Sequence, residues 1–223
     1  MRIAIDGPSA SGKSVLAKSI ASRYNIIYVD TGALYRAIGL AVHRLGIAKE
    51  DDGGIIAALA SIKVELVHTP EGQSVRLDGQ CVNHAIRTPE MSMYASAVSA
   101  IPQVREFLLS LQQDIIATNS VVMDGRDIGT VIMPNADVKI FLTADQQERA
   151  RRRHVELMGN GIDVTFEQVL EDMRQRDHND STRSTAPAVA APDAITINNT
   201  GFECGQTLAA AEKIIAEKLG ATL

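Results

Sequence analysis

Residues 7–14 have the types and the spacing that bind phosphate. They read Gly7-Pro8-Ser9-Ala10-Ser11-Gly12-Lys13-Ser14 and match the pattern G-x-x-x-x-G-K-[ST] at every fixed position. In such a loop, backbone N–H groups surround a polyphosphate, the lysine reaches the outer phosphates and the last hydroxyl binds Mg²⁺. The sequence therefore predicts a nucleoside triphosphate site in which Lys13 contacts phosphate and Ser14 contacts the metal.

A second group of charged residues follows a predicted buried strand at residues 120–123. Asp124 closes this apolar run, and a carboxylate at that position is typical of a ligand for magnesium or its water. Arg126 and Asp127 come next, where the carboxyl ends of parallel strands gather ligands. These two side chains could pair only with each other. A charge without a ligand is costly at such an edge, which favours a binding role for Arg126 and Asp127.

Arginines are concentrated near the end of the chain, although the net charge is −5. The seven between residues 149 and 183 are Arg149, Arg151, Arg152, Arg153, Arg174, Arg176 and Arg183. Some would lie on solvated helix faces, and we expect three or four to contact ligand. On a helix, Arg149 and Arg153 share one face, whereas Glu148 can pair with Arg152. This pattern indicates a helical lid at about 149–165 that closes over transferring phosphates.

The elements that must position these residues alternate between strands and helices. Short apolar runs predict strands at residues 3–5, 26–29, 120–123, 137–143 and 194–197. Helical patterns follow residue 12 and occupy 33–45, 89–100, 103–117, a stretch from about 144, one that begins with the capping box Thr165-x-x-Gln168, and 205–219. The expected fold is α/β: a P-loop NTPase-type parallel five-stranded sheet flanked by helices.

Residues 62–88 have a different pattern. Apolar and polar residues alternate on both sides of a turn signal at Glu71-Gly72, and a third strand is expected near Cys81. Alternation predicts one solvated face, hence a small antiparallel insert on the parallel core. It is either a flap that covers a substrate or a surface addition. The predicted division is a core of 1–61 and 89–223 and an inserted subdomain of 62–88.

Composition excludes several classes of protein. The 223 residues are 45% hydrophobic and 22% charged, which is ordinary for a globular chain. A net charge of −5 argues against a general nucleic-acid or membrane-surface binder. Cys81 and Cys204 are far apart, so we expect buried or half-buried thiols and neither a disulfide nor a zinc site. With no signal-peptide pattern and no apolar run of membrane-spanning length, a cytoplasmic protein is expected.

The reaction type follows from the charges around the loop. A GTPase needs a guanine-reading N-K-x-D element, which the sequence lacks. A hydroxyl acceptor usually requires a carboxylate base, whereas a phosphate acceptor requires positive charge, and this chain is rich in arginine. Two alternatives remain open: a kinase for a metabolite hydroxyl, of shikimate or gluconate type, and a nucleotide-dependent binding module that transfers nothing.

The sequence resembles the bacterial-type cytidylate kinases over nearly its full length. The pieces that carry the resemblance are Ile5-Asp6-Gly7-Pro8, Asp30-Thr31-Gly32-Ala33-Leu34-Tyr35-Arg36, Ser96 through Val104-Arg105, Asp124-Gly125-Arg126-Asp127-Ile128-Gly129-Thr130, the arginine-rich lid, and Arg176-Asp177-x-x-Asp180-x-x-Arg183. The resemblance implies transfer of the γ-phosphoryl group of ATP to CMP or dCMP with Mg²⁺, and a nucleoside monophosphate-binding role for residues 62–88.

The same resemblance implies roles for individual residues. Cytosine would be held by Ser96, Arg105 and Asp127, the acceptor phosphate by Arg36, Arg126 and Arg183, and the ribose and adjoining phosphate by Asp180 and Arg176. Apart from the resemblance, the phosphate loop, the strand ends and the lid predict catalysis by Lys13, Arg126, Arg149 and Arg153, with Ser14 and Asp124 at the metal. A carboxylate at position 127 would accept a hydrogen bond from the amino group of cytosine. The carbonyl of uracil is itself an acceptor, so it could form no hydrogen bond with that carboxylate.

One position departs from the family. Where a second hydroxyl residue commonly follows Lys13-Ser14, this chain has Val15. We expect at most weaker triphosphate binding from residues 7–15, because backbone amides supply most of the contact. The expected partners are small nucleotides alone, with no nucleic acid and no membrane, and the expected state is a monomer.

Overall fold

The computed structural model describes residues 1–69 and 72–220. Its strands are β1 (Arg2–Asp6), β2 (Ile27–Asp30), β3 (Val64–Thr69), β4 (Gly72–Leu77), β5 (Gln80–Cys81), β6 (Val121–Gly125), β7 (Val138–Thr143) and β8 (Ile195–Asn198). Its helices are α1 (Lys13–Tyr24), α2 (Thr31–Arg44), α3 (Asp52–Ala58), α4 (Pro89–Val98), α5 (Pro102–Thr118), α6 (Gln146–Gly159), α7 (Phe166–Thr182) and α8 (Cys204–Leu219). The predicted five-stranded parallel sheet with flanking helices and a small antiparallel sheet is confirmed.

The chain divides into two compact units, which are described separately. The first comprises residues 1–26 and 122–223, the second residues 27–121. The small antiparallel sheet, in the order β3-β4-β5, lies within the predicted insert of 62–88. The division into a core and an inserted subdomain stays a prediction.

The first unit contains four strands of the principal sheet, in the order β6-β1-β7-β8. β1 pairs in parallel with β7, from Ile3 opposite Val138 to Asp6 opposite Phe141, and β7 pairs in parallel with β8. Ile3 and Ile5 are completely buried, as expected for a strand whose two faces are both covered. This pairing puts the carboxyl ends of the strands at one edge.

The second unit contains β2, the small sheet and helices α2 to α5. Its core includes Leu34 and Ile38 of α2, Ile55 of α3 and Leu77 of β4, all at most 2% exposed. β3 and β4 pair in antiparallel register from Val64 opposite Leu77. The turn expected at Glu71-Gly72 involves residue 71, which lies outside the described residues.

Helices α6 and α7 pack on each other in the first unit. Leu157, Val169 and Met173 are buried there, with Phe166 and Leu170 against them. The predicted capping box is confirmed: Thr165 Oγ1 accepts from the Gln168 N–H at 3.2 Å, and Gln168 Oε1 accepts from the Thr165 N–H at 2.9 Å. The apolar stripe of α7 therefore packs against α6, the helix of the predicted lid at about 149–165.

Three details differ from expectation. Helix α3 was not predicted, because its glycines at 53 and 54 lower helix propensity, but the Asp51 carboxylate caps it by accepting from the Gly54 N–H at 2.9 Å. A π-helical turn at Ile128–Ile132 was also not predicted. The expectation of buried or half-buried thiols was wrong: Cys81 and Cys204 are both exposed.

Along the part of the chain described here, no helix combines the length and apolarity that crossing a membrane requires.

Candidate active site

The phosphate loop connects β1 to α1, which is the order that the motif requires. Gly7 has φ +147°, and a Cβ atom at this position would overlap the carbonyl oxygen of Leu142 in β7. Ala10 has φ 57° and Gly12 has φ 94°, so the chain turns twice in the left-handed region before α1 begins. The loop therefore has the curled backbone of an anion-binding nest.

Lys13 is buried in this loop, with 5% of its surface exposed. Its Nζ donates to the Pro8 carbonyl oxygen at 2.6 Å and to Ser11 Oγ at 3.4 Å. Burial lowers the pKa of Lys13 well below its ordinary value, and the charge of Arg126 lowers it further, whereas Asp124 opposes the shift. The ammonium group thus lies among other cations, where an anion would stabilise its charged form.

Ser14 and Asp124, the two predicted metal ligands, lie together. The Ser14 hydroxyl donates to Asp124 Oδ2 at 2.8 Å, and Asp124 is 5% exposed at the end of β6. A hydroxyl oxygen and a carboxylate are hard oxygen donors of the kind Mg²⁺ prefers. The donor set fits the metal that the sequence implies.

Arg149 of α6 contacts the outer side of the loop. Its Nη1 donates to the Ser9 carbonyl oxygen at 3.1 Å and to Asp177 Oδ2 at 2.6 Å, and its Nε donates to the Ala144 carbonyl oxygen at 3.0 Å. Asp177 Oδ1 in turn accepts from the Ser9 N–H at 3.4 Å. This arginine is 6% exposed and binds the protein's own loop.

Asp180 of α7 is a buried carboxylate at the centre of a cluster of half-buried arginines. Its Oδ2 accepts from Arg126 Nε at 3.0 Å and lies 4.0 Å from Arg176 Nε. Burial alone would raise the pKa of Asp180, but Arg126, Arg176 and Arg183 together hold it below its ordinary value. Arg176 Nη1 also reaches Ser9 Oγ at 3.5 Å. The cluster therefore connects α7 to the phosphate loop.

Asp127 and Arg183 form a second buried ion pair in the same unit. Arg183 Nη2 lies 3.7 Å from Asp127 Oδ1, and the arginine Nε donates to the Ala186 carbonyl oxygen at 2.8 Å. Asp127 is 4% exposed. The structure thus brings together the two charges that the resemblance assigns to the base and to the phosphate of the acceptor.

Asp6 anchors the chain that follows Asp127. Its two carboxylate oxygens accept from the N–H groups of Ile128 and Gly129, both at 2.7 Å. Burial raises the pKa of Asp6 to about 6; the two N–H groups lower it, Asp127 raises it further, and Lys13 lowers it. A Cβ atom at Gly129 would come within 3.3 Å of Asp6 Oδ2, which explains a glycine there. This carboxylate fixes the backbone next to Asp127.

In the second unit, Asp30 holds Arg36 at the end of β2. Asp30 Oδ1 accepts from the Ala33 N–H at 2.9 Å and caps α2, while Oδ2 accepts from Arg36 Nη2 at 2.9 Å. Arg87 Nη2 lies 3.5 Å from the same oxygen. Burial would raise the pKa of Asp30, but Arg36 and Arg87 hold it below its ordinary value.

Arg105 and Ser96, the other predicted acceptor ligands of this unit, lie near the helix junction α4–α5. The Arg105 guanidinium lies over the Tyr35 ring, 5.5 Å from its centroid, and its Nη1 donates to the Ser99 carbonyl oxygen at 3.1 Å. Ser96 is half-buried on α4, and its carbonyl oxygen accepts from the Ser99 hydroxyl at 2.9 Å.

The remaining predicted residues are more exposed. Arg153 Nη1 pairs with Glu156 Oε2 at 2.9 Å on α6, and the predicted pair of Glu148 with Arg152 is present at 2.9 Å. The Val15 side chain is 54% exposed at the start of α1. The roles assigned to these residues, like those of every predicted site residue, stay predictions.

Sequence reasoning gave no individual role to several residues that support the site: Asp6, Asp30, Gln73, Asp177 and Asn199. Gln73 exchanges two hydrogen bonds with the backbone of Asp30, at 2.7 Å and 3.3 Å. Asp6, Asp30 and Asn199 share a signal that could have found them. Each is the last residue of a parallel strand or follows it directly, at the edge where ligands gather.

The phosphate loop lies between the first strand and the first helix of a parallel α/β sheet, and paired arginines and carboxylates lie beside it. These features define a P-loop phosphotransferase. The family model described as "Cytidylate kinase" matches residues 3–217. The chain belongs to the cytidylate kinase family, and the resemblance seen in the sequence is confirmed. It is accordingly a nucleoside monophosphate kinase.

Curated relatives agree with this assignment. A "Cytidylate kinase" of Carboxydothermus hydrogenoformans is 44% identical over 218 residues, which cover 98% of each chain. Another, of Caldicellulosiruptor bescii, is 47% identical over 208 residues, 93% of this chain and 92% of the relative. A solved structure, an uncharacterized protein from Eubacterium ventriosum, has a TM-score of 0.52 at 17% identity over 97% of this chain and 98% of that one. The last is a similarity of fold alone.

Proposed function

We propose that the protein transfers the γ-phosphoryl group of ATP to CMP or dCMP, giving ADP and CDP or dCDP. One observation carries the proposal. Arg126 and Arg176 converge on Asp180, at 3.0 and 4.0 Å, and Arg176 also reaches Ser9 at 3.5 Å, so two guanidinium groups lie beside the loop that contains the buried Lys13. Such an arrangement is costly unless anions occupy it. Two phosphate groups brought together for transfer supply those anions.

The donor is held by residues 7–15 through their backbone N–H groups, with Lys13 on the outer phosphates. Ser14 and Asp124 would hold Mg²⁺, which when bound neutralises charge on the phosphate oxygens. Lys13 offsets the charge of the group in transfer. Arg149 and Arg153, on the lid of about 149–165, approach the phosphates and exclude water when the lid closes.

The acceptor is recognised by its phosphate and its base. Arg126 and Arg183 bind the monophosphate, and Asp180 with Arg176 holds the ribose and the adjoining phosphate. Asp180 also orients Arg126 and Arg176 through the contacts at 3.0 and 4.0 Å. Asp127 accepts a hydrogen bond from the cytosine amino group, an interaction that the carbonyl of uracil lacks. No carboxylate base is required for an acceptor oxygen that is already anionic.

The second unit contributes further acceptor ligands: Arg36 to the phosphate, and Ser96 and Arg105 to the base. The Nε of Arg36 is buried and has no hydrogen-bond partner among the described residues, while its Nη2 is held by Asp30. A phosphate oxygen would satisfy that donor. We also propose that residues 62–88 are the nucleoside monophosphate-binding subdomain.

A coupled assay of ADP release tests the reaction. Purified protein with ATP and Mg²⁺ is supplied in turn with CMP, dCMP, UMP, AMP, GMP, shikimate and gluconate. We expect turnover with CMP and dCMP, lower kcat/KM with UMP, and no turnover above the acceptor-free control with the other compounds. Turnover with shikimate or gluconate alone would establish the hydroxyl-kinase alternative. ATP binding without transfer would establish the binding module.

Two further properties complete the proposal. The protein acts in the cytoplasm, where its nucleotide substrates are made and used, and it acts as a monomer without nucleic-acid or membrane partners. Its net charge of −5 supports the last point. Light scattering during size exclusion, at concentrations used in the assay, should give a mass close to 24.0 kDa.

A further inference from the structure

Asn199 lies directly after β8 and is buried, with 4% of its surface exposed. Its side-chain Nδ2 donates to the Ser11 carbonyl oxygen at 3.0 Å and to Thr207 Oγ1 of α8 at 3.4 Å. Its Oδ1 and its backbone oxygen accept from Arg152 Nη1 and Nη2, at 3.1 and 3.0 Å. One side chain therefore connects the phosphate loop to α6 and α8.

The chemistry of the partners fixes the orientation of this amide. Arg152 can only donate, so it faces the Oδ1 of Asn199, and the Ser11 carbonyl can only accept, so it faces Nδ2. An aspartate at position 199 would keep the bond to Arg152 and would place an acceptor against the Ser11 carbonyl. Asn199→Asp therefore removes the hydrogen bond to the Ser11 carbonyl while it keeps the one from Arg152.

The bond to the Ser11 carbonyl has a consequence for the next N–H group. In a planar trans peptide, the C=O and N–H bonds point in opposite directions. Because Asn199 holds the Ser11 carbonyl, with Arg152 Nη1 at 3.5 Å from the same oxygen, the Gly12 N–H points away from Asn199. Gly12 has φ 94° and begins the turn into α1, where backbone N–H groups bind phosphate.

We propose that Asn199 is a positioning residue for the phosphate loop. It holds the Ser11 carbonyl on the outer side of the loop so that the Gly12 N–H faces the phosphates of the nucleotide. Through Arg152, which Glu148 also holds at 2.9 Å, it couples that peptide to α6. This inference rests on the proposed function in one respect: the phosphates are those of ATP and ADP.

The test compares Asn199→Asp with Asn198→Asp, which adds the same charge one residue earlier. Asn198 is exposed, and its Oδ1 accepts from the backbone and hydroxyl of Thr200. ADP affinity is measured by calorimetry, and KM for ATP and for CMP by the coupled assay. Asn199→Asp should weaken ADP binding and raise KM for ATP by about tenfold or more, with KM for CMP within about twofold. Asn198→Asp should change neither.

Asn199→Ala removes all three side-chain hydrogen bonds without adding charge and should also weaken ADP binding. If Asn199→Asp does not fold, the ADP affinity of Asn199→Ala tests the proposal instead. The proposal is overturned if the Asn199 variants bind ADP as tightly as the Asn198 variant, or if KM for CMP rises in proportion to KM for ATP. Failure of the wild-type protein to bind ADP or to phosphorylate CMP would instead refute the proposed function.

Discussion

At the scale of single residues, the site is defined by buried charges that balance one another. Lys13 lies among the arginines 126 and 176, and the carboxylates Asp6 and Asp124 partly offset their repulsion. Because Lys13 and Arg126 are held by hydrogen bonds of 2.6 and 3.0 Å, they need little reorganisation when phosphate binds. Removal of Asp124 would leave the cations around Lys13 less well compensated.

Lys13→Ala should lower kcat by roughly two orders of magnitude, because the charge that offsets the moving phosphoryl group is lost. Lys18→Ala is the matched control, since Lys18 is exposed on α1. The measurement is kcat with saturating ATP and CMP, with thermal unfolding recorded for each variant. Near-normal turnover of a folded Lys13→Ala protein would show that this lysine does not act in transfer.

Asp127→Asn should reduce the preference for CMP over UMP by at least about tenfold in kcat/KM. An amide can present its N–H₂ to the carbonyl of uracil, whereas the carboxylate cannot. Asp52→Asn, at an exposed position in α3, is the control for the change of charge. If the ratio stays unchanged, Asp127 does not read the base.

At the scale of elements, α6 shapes the phosphate loop as well as carrying lid residues. Arg149 binds the Ser9 carbonyl and Arg152 binds the residue that holds the Ser11 carbonyl. Two alternate peptides of the loop are therefore held from their outer side by one helix. A movement of α6 would change the direction of loop N–H groups and not only the position of its arginines.

Helix packing in the second unit makes a contrasting pair of glycine substitutions informative. A Cβ atom at Gly39 in α2 would lie 2.8 Å from Tyr94 Cβ in α4, whereas one at Gly205 in α8 would meet nothing within 4 Å. Gly39→Ala should destabilise the protein by about 1–2 kcal/mol despite its better helix propensity. Gly205→Ala should stabilise it by about 0.5–1 kcal/mol.

Denaturant unfolding measures both variants. Equal stabilisation by the two substitutions would mean that α2 and α4 do not pack as closely as the structure has them.

At the scale of the whole molecule, Asp6 links folding stability to pH. Its pKa is about 6 in the folded protein against an ordinary value of 3.8. Between these values the native state retains a proton that the unfolded chain has lost, so stability falls as pH rises. The contribution is fully present below pH 3.8 and lost above about pH 6, and it amounts to roughly 3 kcal/mol.

Asp6→Asn should remove this fall, because an amide does not titrate. We expect the free energy of unfolding of the wild-type protein to decrease more steeply from pH 4 to pH 6 than that of the variant. Asp172→Asn, at an exposed position of α7, controls for net charge. Urea unfolding at several pH values gives the slopes. Parallel curves for the wild type and Asp6→Asn would contradict a raised pKa at Asp6.

The sequence by itself determined the phosphate loop, the strands, the capping box of α7 and the position of Asp124 at a strand end. All of these depend on neighbours within a few residues, so spacing and periodicity are enough to find them. The family also follows from the order of its motifs.

Only the tertiary structure decided the actual contacts between distant side chains, even where the sequence had assigned two of them, Ser14 and Asp124, to the same metal. Ser14 bonds to Asp124 across 110 positions, Asp6 to Ile128 across 122, and Asn199 to Ser11 across 188. Parallel pairing of β1 with β7 and of β7 with β8 aligns strand ends that are distant in sequence. This alignment cannot be predicted from local sequence patterns, because a parallel sheet pairs strands that are separated in sequence by whole helices.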